Sequence, residues 1–187
     1  MRRAQLEHAI RTACQIVQQP AVIVVGSQAI LGTYDESQLP PAATMSVEVD
    51  ILPIAGTNEE VARLADLIEG VAGELSPFEE LHGFSIDGVD LTTAALPDGW
   101  QERLVTVQNS NTAGPNGDPP YVGLCLNKED LCVAKLIAFR EKDRDFVRAL
   151  IDARLVDLEL IVARLSDMPS EYSSAGEHAR DWLAAGN

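Results

Sequence analysis

The sequence predicts an α+β fold, in which a mixed β-sheet with helices is followed by a C-terminal helical bundle. Up to residue 126, short apolar runs bounded by turn residues alternate with amphipathic segments, a pattern typical of strands mixed with helices. From Leu131 onward the spacing of apolar residues is almost wholly helical. We therefore predict an α/β core over residues 1–126 and a helical part over residues 127–187 packed on it, or one continuous domain that contains both.

The first predicted element is a helix over residues 3–18. Leu6, Ile10, Cys14 and Val17 recur at helical spacing, and Pro20 ends the helix. The remaining elements of the core follow from apolar runs, caps and turn residues. They are, in chain order, a strand over 21–25, a short helix over 27–32, a loop around 38–41, a strand over 46–52, a helix over 59–74, strands near 83–92 and 102–107, a loop over 108–120 and a strand over 121–126.

The predicted helical part begins at a capping residue. Asn127 is a favourable N-cap, and Asp130 stands at the third helical position, where an acid supports a helix start. The helices predicted from there on cover 129–140, 143–152 and 155–166, and a short helix within 170–187 ends in Trp182 and Leu183.

Composition and charge argue against several classes of protein. The chain has 187 residues, 46% of them hydrophobic, and a formal net charge of −15, and no apolar run approaches the ~20 residues that cross a bilayer. The N-terminus soon becomes polar, so we predict no signal peptide, no membrane partner and a cytoplasmic location. No long basic stripe marks a broad nucleic-acid surface. A local basic patch consists of Lys135, Arg140, Lys142, Arg144 and Arg148.

The cysteines and histidines show no ligand spacing. The three cysteines are an odd number without a Cys-x-x-Cys pair, which argues against a disulfide framework and against a zinc site. We expect them to be small buried apolar residues. The three histidines have no partner at ligand spacing and are interpreted as structural or surface residues.

Two neighbouring segments carry the residues best suited to chemistry. Gly26 and Ser27 follow the apolar strand over 21–25, so the backbone there can approach a phosphate and Ser27 adds a hydroxyl. About twenty residues later, Glu48 and Asp50 alternate with Val47, Val49 and Ile51. On a strand the two acids project from one face, about 6 to 7 Å apart, while the three apolar residues point into the core. Such a pair can bind one or two Mg²⁺ ions that also hold phosphate oxygens.

These segments resemble the polymerase-beta-type nucleotidyltransferase superfamily, whose signature is an apolar strand, Gly-Ser and a later acid-x-acid strand. Here the signature is Gly26-Ser27 and Glu48-Val49-Asp50, with Glu in place of the usual first Asp. The resemblance implies a nucleotidyltransferase-type mixed sheet, a nucleoside triphosphate substrate, and Mg²⁺ or Mn²⁺ on Glu48 and Asp50. Many members have a third acid on a later strand.

Asp90 could fill the place of that third acid. It follows a segment that reads as a strand and a turn, over residues 84–92. Asp87 and Gly88 just before it are equally a turn signal. Asp90 is therefore included as a third metal ligand, and the turn interpretation stays open beside it.

A second block, over residues 124–147, resembles the helical block of AbiEii-like toxins, including the mycobacterial MenT type. In those proteins a strand leads to a Lys-Glu-Asp-Leu turn, a helix with a lysine and an Arg/Lys-Asp segment, which here are Lys128–Leu131, Lys135 and Arg140–Asp143. The resemblance implies that Lys135 neutralises triphosphate charge and that Arg140 contacts a phosphate. Asp143 becomes the distal acid, which either activates the acceptor or orients Lys135.

Together these features predict a nucleotidyltransferase that moves a nucleotidyl group from a nucleoside triphosphate to an acceptor hydroxyl. By resemblance the acceptor is a tRNA 3′ end and the chain is the toxin of a toxin–antitoxin or phage-defence pair. Its acidic surface suits a basic protein partner, such as an antitoxin. Two alternatives remain: transfer to a protein side chain (AMPylation), and a catalytically degenerate module that only binds nucleotide or protein.

Overall fold

The structure is a computed structural model that describes residues 1–114 and 120–186. Its strands are β1 (Ala21–Val24), β2 (Glu48–Leu52), β3 (Ser85–Gly88), β4 (Val105–Val107) and β5 (Val122–Cys125). Its α-helices are α1 (Arg3–Val17), α2 (Pro41–Thr44), α3 (Asn58–Ala72), α4 (Pro77–His82), α5 (Lys128–Ala138), α6 (Glu141–Asp152), α7 (Leu158–Ser166) and α8 (Ser173–Ala184). Short 3₁₀ helices cover Ser27–Gly32, Glu36–Gln38, Trp100–Arg103, Ser110–Thr112 and Ser170–Tyr172.

The five strands form one mixed sheet in the order β3-β2-β1-β5-β4. The central strand β1 pairs antiparallel with β2 and parallel with β5. The outer pairs are β2 with β3, which is parallel, and β4 with β5, which is antiparallel. Four helices follow the last strand, so the predicted α+β class, a mixed sheet followed by a helical part, is confirmed.

The hydrophobic core is continuous from the sheet into the C-terminal helices. It joins Leu6 and Ile10 of α1 to Val24 of β1, and it continues through Leu136 of α5 and Leu150 of α6. Each of these side chains is completely buried. The helical half therefore packs on the same core that holds the sheet together, which fixes α5 and α6 relative to β1 and β2.

Several elements differ from those the sequence predicts. β3 ends at Gly88, not near residue 92. Helix α3 packs directly on this last strand residue, since a methyl group at position 88 would lie 1.9 Å from the carbonyl oxygen of Ala65. Helix α4 is absent from the prediction, although Ser76 caps it through the N–H of Glu79, 3.2 Å away. The predicted loop around 38–41 contains a 3₁₀ turn and the start of α2, and the final helix spans 12 residues. Residues 115–119 of the predicted loop over 108–120 lie outside the described residues.

The three cysteines are buried in the fold, and two of the histidines pack against aromatic rings. Cys14, Cys125 and Cys132 are buried and free, as predicted. The rings of His8 and His82 lie 4.5 Å apart, centroid to centroid, in an aromatic cluster on α1 and α4. Within residues 1–114 and 120–186, no helix is both long enough and apolar enough to span a membrane.

A buried ion cluster ties α5 to the rest of the fold. The carboxylate of Asp130 is completely buried and accepts two hydrogen bonds from Arg103, at 2.9 and 3.0 Å. Its Oδ1 also lies 3.2 Å from the guanidinium of Arg164 on α7. Because three separate segments supply these groups, Asp130 fixes the N-terminal end of α5 between the 3₁₀ turn before β4 and helix α7.

Replacing Asp130 by alanine is expected to lower the free energy of unfolding by about 3 to 5 kcal/mol, since it leaves the partly buried Arg103 without its carboxylate and removes the nearer of two carboxylates from Arg164. The measurement is urea unfolding followed by circular dichroism. Asp66→Ala, at an exposed position of α3, is the control and should change the value by no more than ~0.5 kcal/mol. If both substitutions changed the free energy of unfolding by the same amount, the claim that the buried ion cluster stabilises the fold would be contradicted.

Candidate active site

A large cavity opens where β1 ends, beside β2, α5 and α6. Its volume is about 900 Å³, within the range of pockets that hold small molecules and cofactors. Six residues singled out from the sequence line it: Gly26, Ser27, Glu48, Asp50, Lys135 and Arg140. The fold thus brings together groups that are more than a hundred positions apart in the chain.

The conformation of Gly26 makes room for an acid of the neighbouring strand. Gly26 has φ +63° and ψ −170°, a region open essentially only to glycine. A methyl group at this position would lie 1.7 Å from Oδ2 of Asp50. The pairing of β1 with β2 enforces this contact, because the N–H of Val25 donates to the carbonyl oxygen of Asp50 at 3.0 Å. Gly26 is therefore required by the Asp50 carboxylate as well as by the turn.

Strand β2 presents its acids on the cavity side. Val49 and Ile51 are completely buried, whereas Glu48 is exposed and Asp50 partly buried, so the predicted alternation is confirmed within the strand. The prediction that Val47 points into the core is wrong. β2 begins at Glu48, and Val47 precedes it, is 50% exposed and lines the cavity.

A third carboxylate lies beside the pair on the next strand. The register of the parallel β2–β3 pair places Asp87 directly beside Asp50. Burial raises the pKa of Asp50 to about 6, and repulsion from Asp87 and Glu48 adds to the shift, while Lys135 opposes it. The acids and the lysine therefore act on one another across the site.

Asp87, not Asp90, adjoins the acid pair. Asp90 lies two residues beyond β3, where its carboxylate accepts a hydrogen bond from the N–H of Thr92 at 2.7 Å. Sequence reasoning missed Asp87 because Asp-Gly is a turn signal, although here both residues belong to the strand. The sequence did hold one signal for Asp87. It stands two positions after Ser85, so the two side chains share a face of the strand, and the Ser85 hydroxyl donates to Asp87 at 2.9 Å.

Two cations on the opposite wall share one buried acid. Lys135 is 8% exposed, and its Nζ donates to Oδ1 of Asp143 at 2.9 Å. The Arg140 guanidinium also donates to Asp143, which is completely buried. The Lys135 ammonium further lies 4.6 Å from the ring centroid of Phe146. The lysine is thus held in one position, from which its charge counteracts the rise in the pKa of Asp50.

Asp143 is held in its ionised form. Burial by itself raises its pKa, but hydrogen bonds from Arg140 and Lys135 outweigh burial and hold the pKa below the usual value. Because both of its oxygens accept hydrogen bonds from cations, this carboxylate is poorly suited to take a proton. Its geometry favours orientation of Lys135 over activation of an acceptor.

The acids alone do not form a closed metal site. Among the residues that the structure describes, no three His, Cys, Asp or Glu side chains converge closely enough to hold a metal ion by themselves. Glu48 and Asp50 nevertheless offer the hard oxygen atoms that divalent cations such as Mg²⁺ prefer. This donor set fits a cation whose remaining ligands come from a substrate or from water.

The mixed sheet, its Gly-Ser turn and its acid-x-acid strand at a cavity define the nucleotidyltransferase class. A family described as a nucleotidyltransferase of unknown function (DUF6036) matches residues 4–183, and the chain belongs to that family. A search of curated proteins and a search of solved structures each found no match. Membership confirms that the chain is a nucleotidyltransferase in the general sense, whereas the AbiEii/MenT-like branch stays a prediction.

Gly26→Ala is expected to lower the free energy of unfolding by about 1 to 3 kcal/mol, because alanine is strained at this φ and ψ and its methyl group collides with Asp50. Chemical unfolding measures the effect. Gly70→Ala, at an open position in α3, is the control and should raise the value by roughly 0.5 to 1 kcal/mol. A Gly26→Ala variant as stable as the wild type would contradict the close approach of the Asp50 carboxylate to position 26.

The raised pKa of Asp50 predicts a pH dependence without added divalent cations. In the unfolded chain the carboxyl ionises near pH ~4, whereas in the folded protein its pKa is about 6. The folded state thus binds the proton more tightly, and the free energy of unfolding falls as pH rises from ~4 to ~7, by about 1 to 3 kcal/mol.

Asp50→Asn should abolish this decrease, so that the variant is more stable than the wild type at neutral pH. Unfolding curves measured across the pH range test it. Asp66→Asn, which removes an exposed acid on α3, should keep the wild-type profile. If the free energy of unfolding of Asp50→Asn varied with pH as that of the wild type does, the raised pKa of Asp50 would be contradicted.

Proposed function

We propose that this chain transfers a nucleotidyl group from a nucleoside triphosphate to an acceptor hydroxyl and releases pyrophosphate. The observation that carries this proposal is the cavity in which Glu48 and Asp50 face Lys135 beside the Gly26-Ser27 turn. One wall supplies oxygen ligands for a divalent cation, and the other supplies a fixed positive charge for phosphate. A triphosphate with its metal needs both.

The acid wall has an excess of negative charge that a divalent cation neutralises. Burial raises the pKa of Asp50, the carboxylates of Asp87 and Glu48 raise it further, and Lys135 and a backbone hydrogen bond offset these effects only in part. Glu48 and Asp50 would hold Mg²⁺ or Mn²⁺ together with oxygen atoms of the triphosphate. When bound, the metal supplies Lewis-acid stabilisation of charge on the transferred phosphoryl group. Asp87 adds negative charge beside Asp50, whereas the proposed metal ligands are Glu48 and Asp50.

The basic wall orients the triphosphate. Lys135 is fixed by Asp143 and by the Phe146 ring, so it meets the phosphates without a loss of side-chain freedom. Arg140 keeps 63% of its side chain exposed at the mouth of the cavity and contacts an outer phosphate. From the Gly26-Ser27 turn, the hydroxyl of Ser27 donates a hydrogen bond to a phosphate oxygen. Asp143 is a positioning residue that keeps Lys135 and Arg140 aligned.

The acceptor enters from the side of α6. Arg140 and Lys142 line the cavity there and are exposed, and cations at such a mouth attract a phosphate-bearing chain. Together with the resemblance to AbiEii/MenT-like toxins, this supports a tRNA 3′ end as the acceptor and a toxin role in a toxin–antitoxin or phage-defence pair. A protein hydroxyl is the competing acceptor.

Incubation of the purified chain with Mg²⁺, each α-³²P-labelled nucleoside triphosphate in turn, and total tRNA or cell lysate tests the proposal. Label should enter RNA and should fall at least ~100-fold in Asp50→Asn, since the variant loses a metal ligand. Asp66→Asn should transfer label like the wild type.

Other outcomes of this assay contradict parts of the proposal. Label in a protein band would replace the tRNA acceptor by a protein. Nucleotide binding without transfer would show a degenerate binding module. Full transfer by Asp50→Asn would refute the site itself.

A further inference from the structure

Helices α3 and α4 expose a group of large apolar side chains on a surface that does not line the cavity. Leu67 and Val71 lie one turn apart on α3, and they are 42% and 49% exposed. Leu75, just after α3, is 91% exposed, and Leu81 of α4 is 77% exposed. We call these four residues the α3–α4 apolar stripe. Solitary exposed leucines are ordinary, but four large apolar side chains exposed within fifteen residues, on two helices that contact each other and on the turn between them, favour an interaction.

The backbone holds Leu75 in a conformation that is unfavourable for leucine. Its φ is +61°, in the left-handed region, which is disfavoured for residues other than glycine. The N–H of Leu75 donates to the Glu79 carboxylate at 2.7 Å, and Ser76 caps α4 immediately afterwards. Glycine or asparagine would fit this turn with less strain. A leucine fixed here with its side chain in solvent is a feature that packing within the chain does not explain.

The same two helices carry a strong negative charge. Residues 58–82 contain seven acids and only one arginine, Arg63. The acids are Glu59, Glu60, Asp66, Glu69, Glu74, Glu79 and Glu80. This charge disfavours a second copy of the chain on the stripe, because two such surfaces repel each other, and it disfavours nucleic acid and anionic lipid for the same reason. It favours a partner that combines positive charge with an apolar face.

We propose that the α3–α4 apolar stripe is a docking site for a basic amphipathic helix of a partner protein. The apolar face of that helix covers Leu67, Val71, Leu75 and Leu81, and its lysines or arginines reach the surrounding carboxylates. The site is separate from the cavity and does not depend on the activity proposed above, because none of the four stripe residues lines the cavity.

A synthetic peptide tests this proposal. A fluorescent helix of about 18 residues, with leucines at i, i+3, i+4 and i+7 and lysines elsewhere, is titrated with the wild-type chain at ~0.15 M salt. A peptide of the same composition in scrambled order is the first control. The double variant Leu75→Ser/Leu81→Ser removes half of the stripe at exposed positions. The matched variant Leu158→Ser/Leu160→Ser removes two leucines of α7 that are 41% and 44% exposed.

The expected result is binding of the amphipathic peptide that weakens about tenfold or more in Leu75→Ser/Leu81→Ser and changes less than ~2-fold in the α7 variant. The scrambled peptide should bind at least about tenfold more weakly. No binding, or equal binding to all three proteins, would overturn the proposal. A wild-type dimer in sedimentation that Leu75→Ser/Leu81→Ser converts to a monomer would also overturn it, since the occupant would then be a second copy.

Discussion

The position of the Asp50 carboxylate is the constraint on which the rest of the site depends. Its Oδ2 occupies the space that any side chain at position 26 would need, and the pairing of β2 with β3 sets Asp87 beside it. Burial and repulsion both disfavour its charge. Part of the free energy that the fold loses by placing acids here is recovered when a proton binds, and under the proposed function a divalent cation takes that role.

The compensating charge comes from the C-terminal half of the chain. Lys135 lies on α5, and its ammonium is held by Asp143 of α6, so two helices must keep their places for one positive charge to face Asp50. The Asp130 cluster anchors the start of α5 against α7 and the turn before β4. The site is therefore a property of the contact between sheet and helices, and neither half contains it alone.

Much of this site could be predicted from the sequence, because its main signals are local. The strand alternation around Asp50 and the turn at Gly26 each lie within a few residues, and family resemblance identified Lys135. What could not be predicted depends on register and packing between distant segments. Asp87 is recognisable only once β3 pairs in parallel with β2, and the exposure of Val47 follows from the exact residue at which β2 begins.

Proton release on binding of a Mg²⁺–nucleoside triphosphate complex tests the central claim most directly. Calorimetric titrations near pH ~6, in two buffers of different ionisation enthalpy, give the number of protons released. If the metal binds to the Asp50 carboxylate, whose pKa is about 6, the wild type should release roughly half a proton more than Asp50→Asn, and the difference should vanish near pH ~8. Equal affinity and equal proton release in both proteins would contradict the claim that Asp50 binds the metal of a nucleotide substrate.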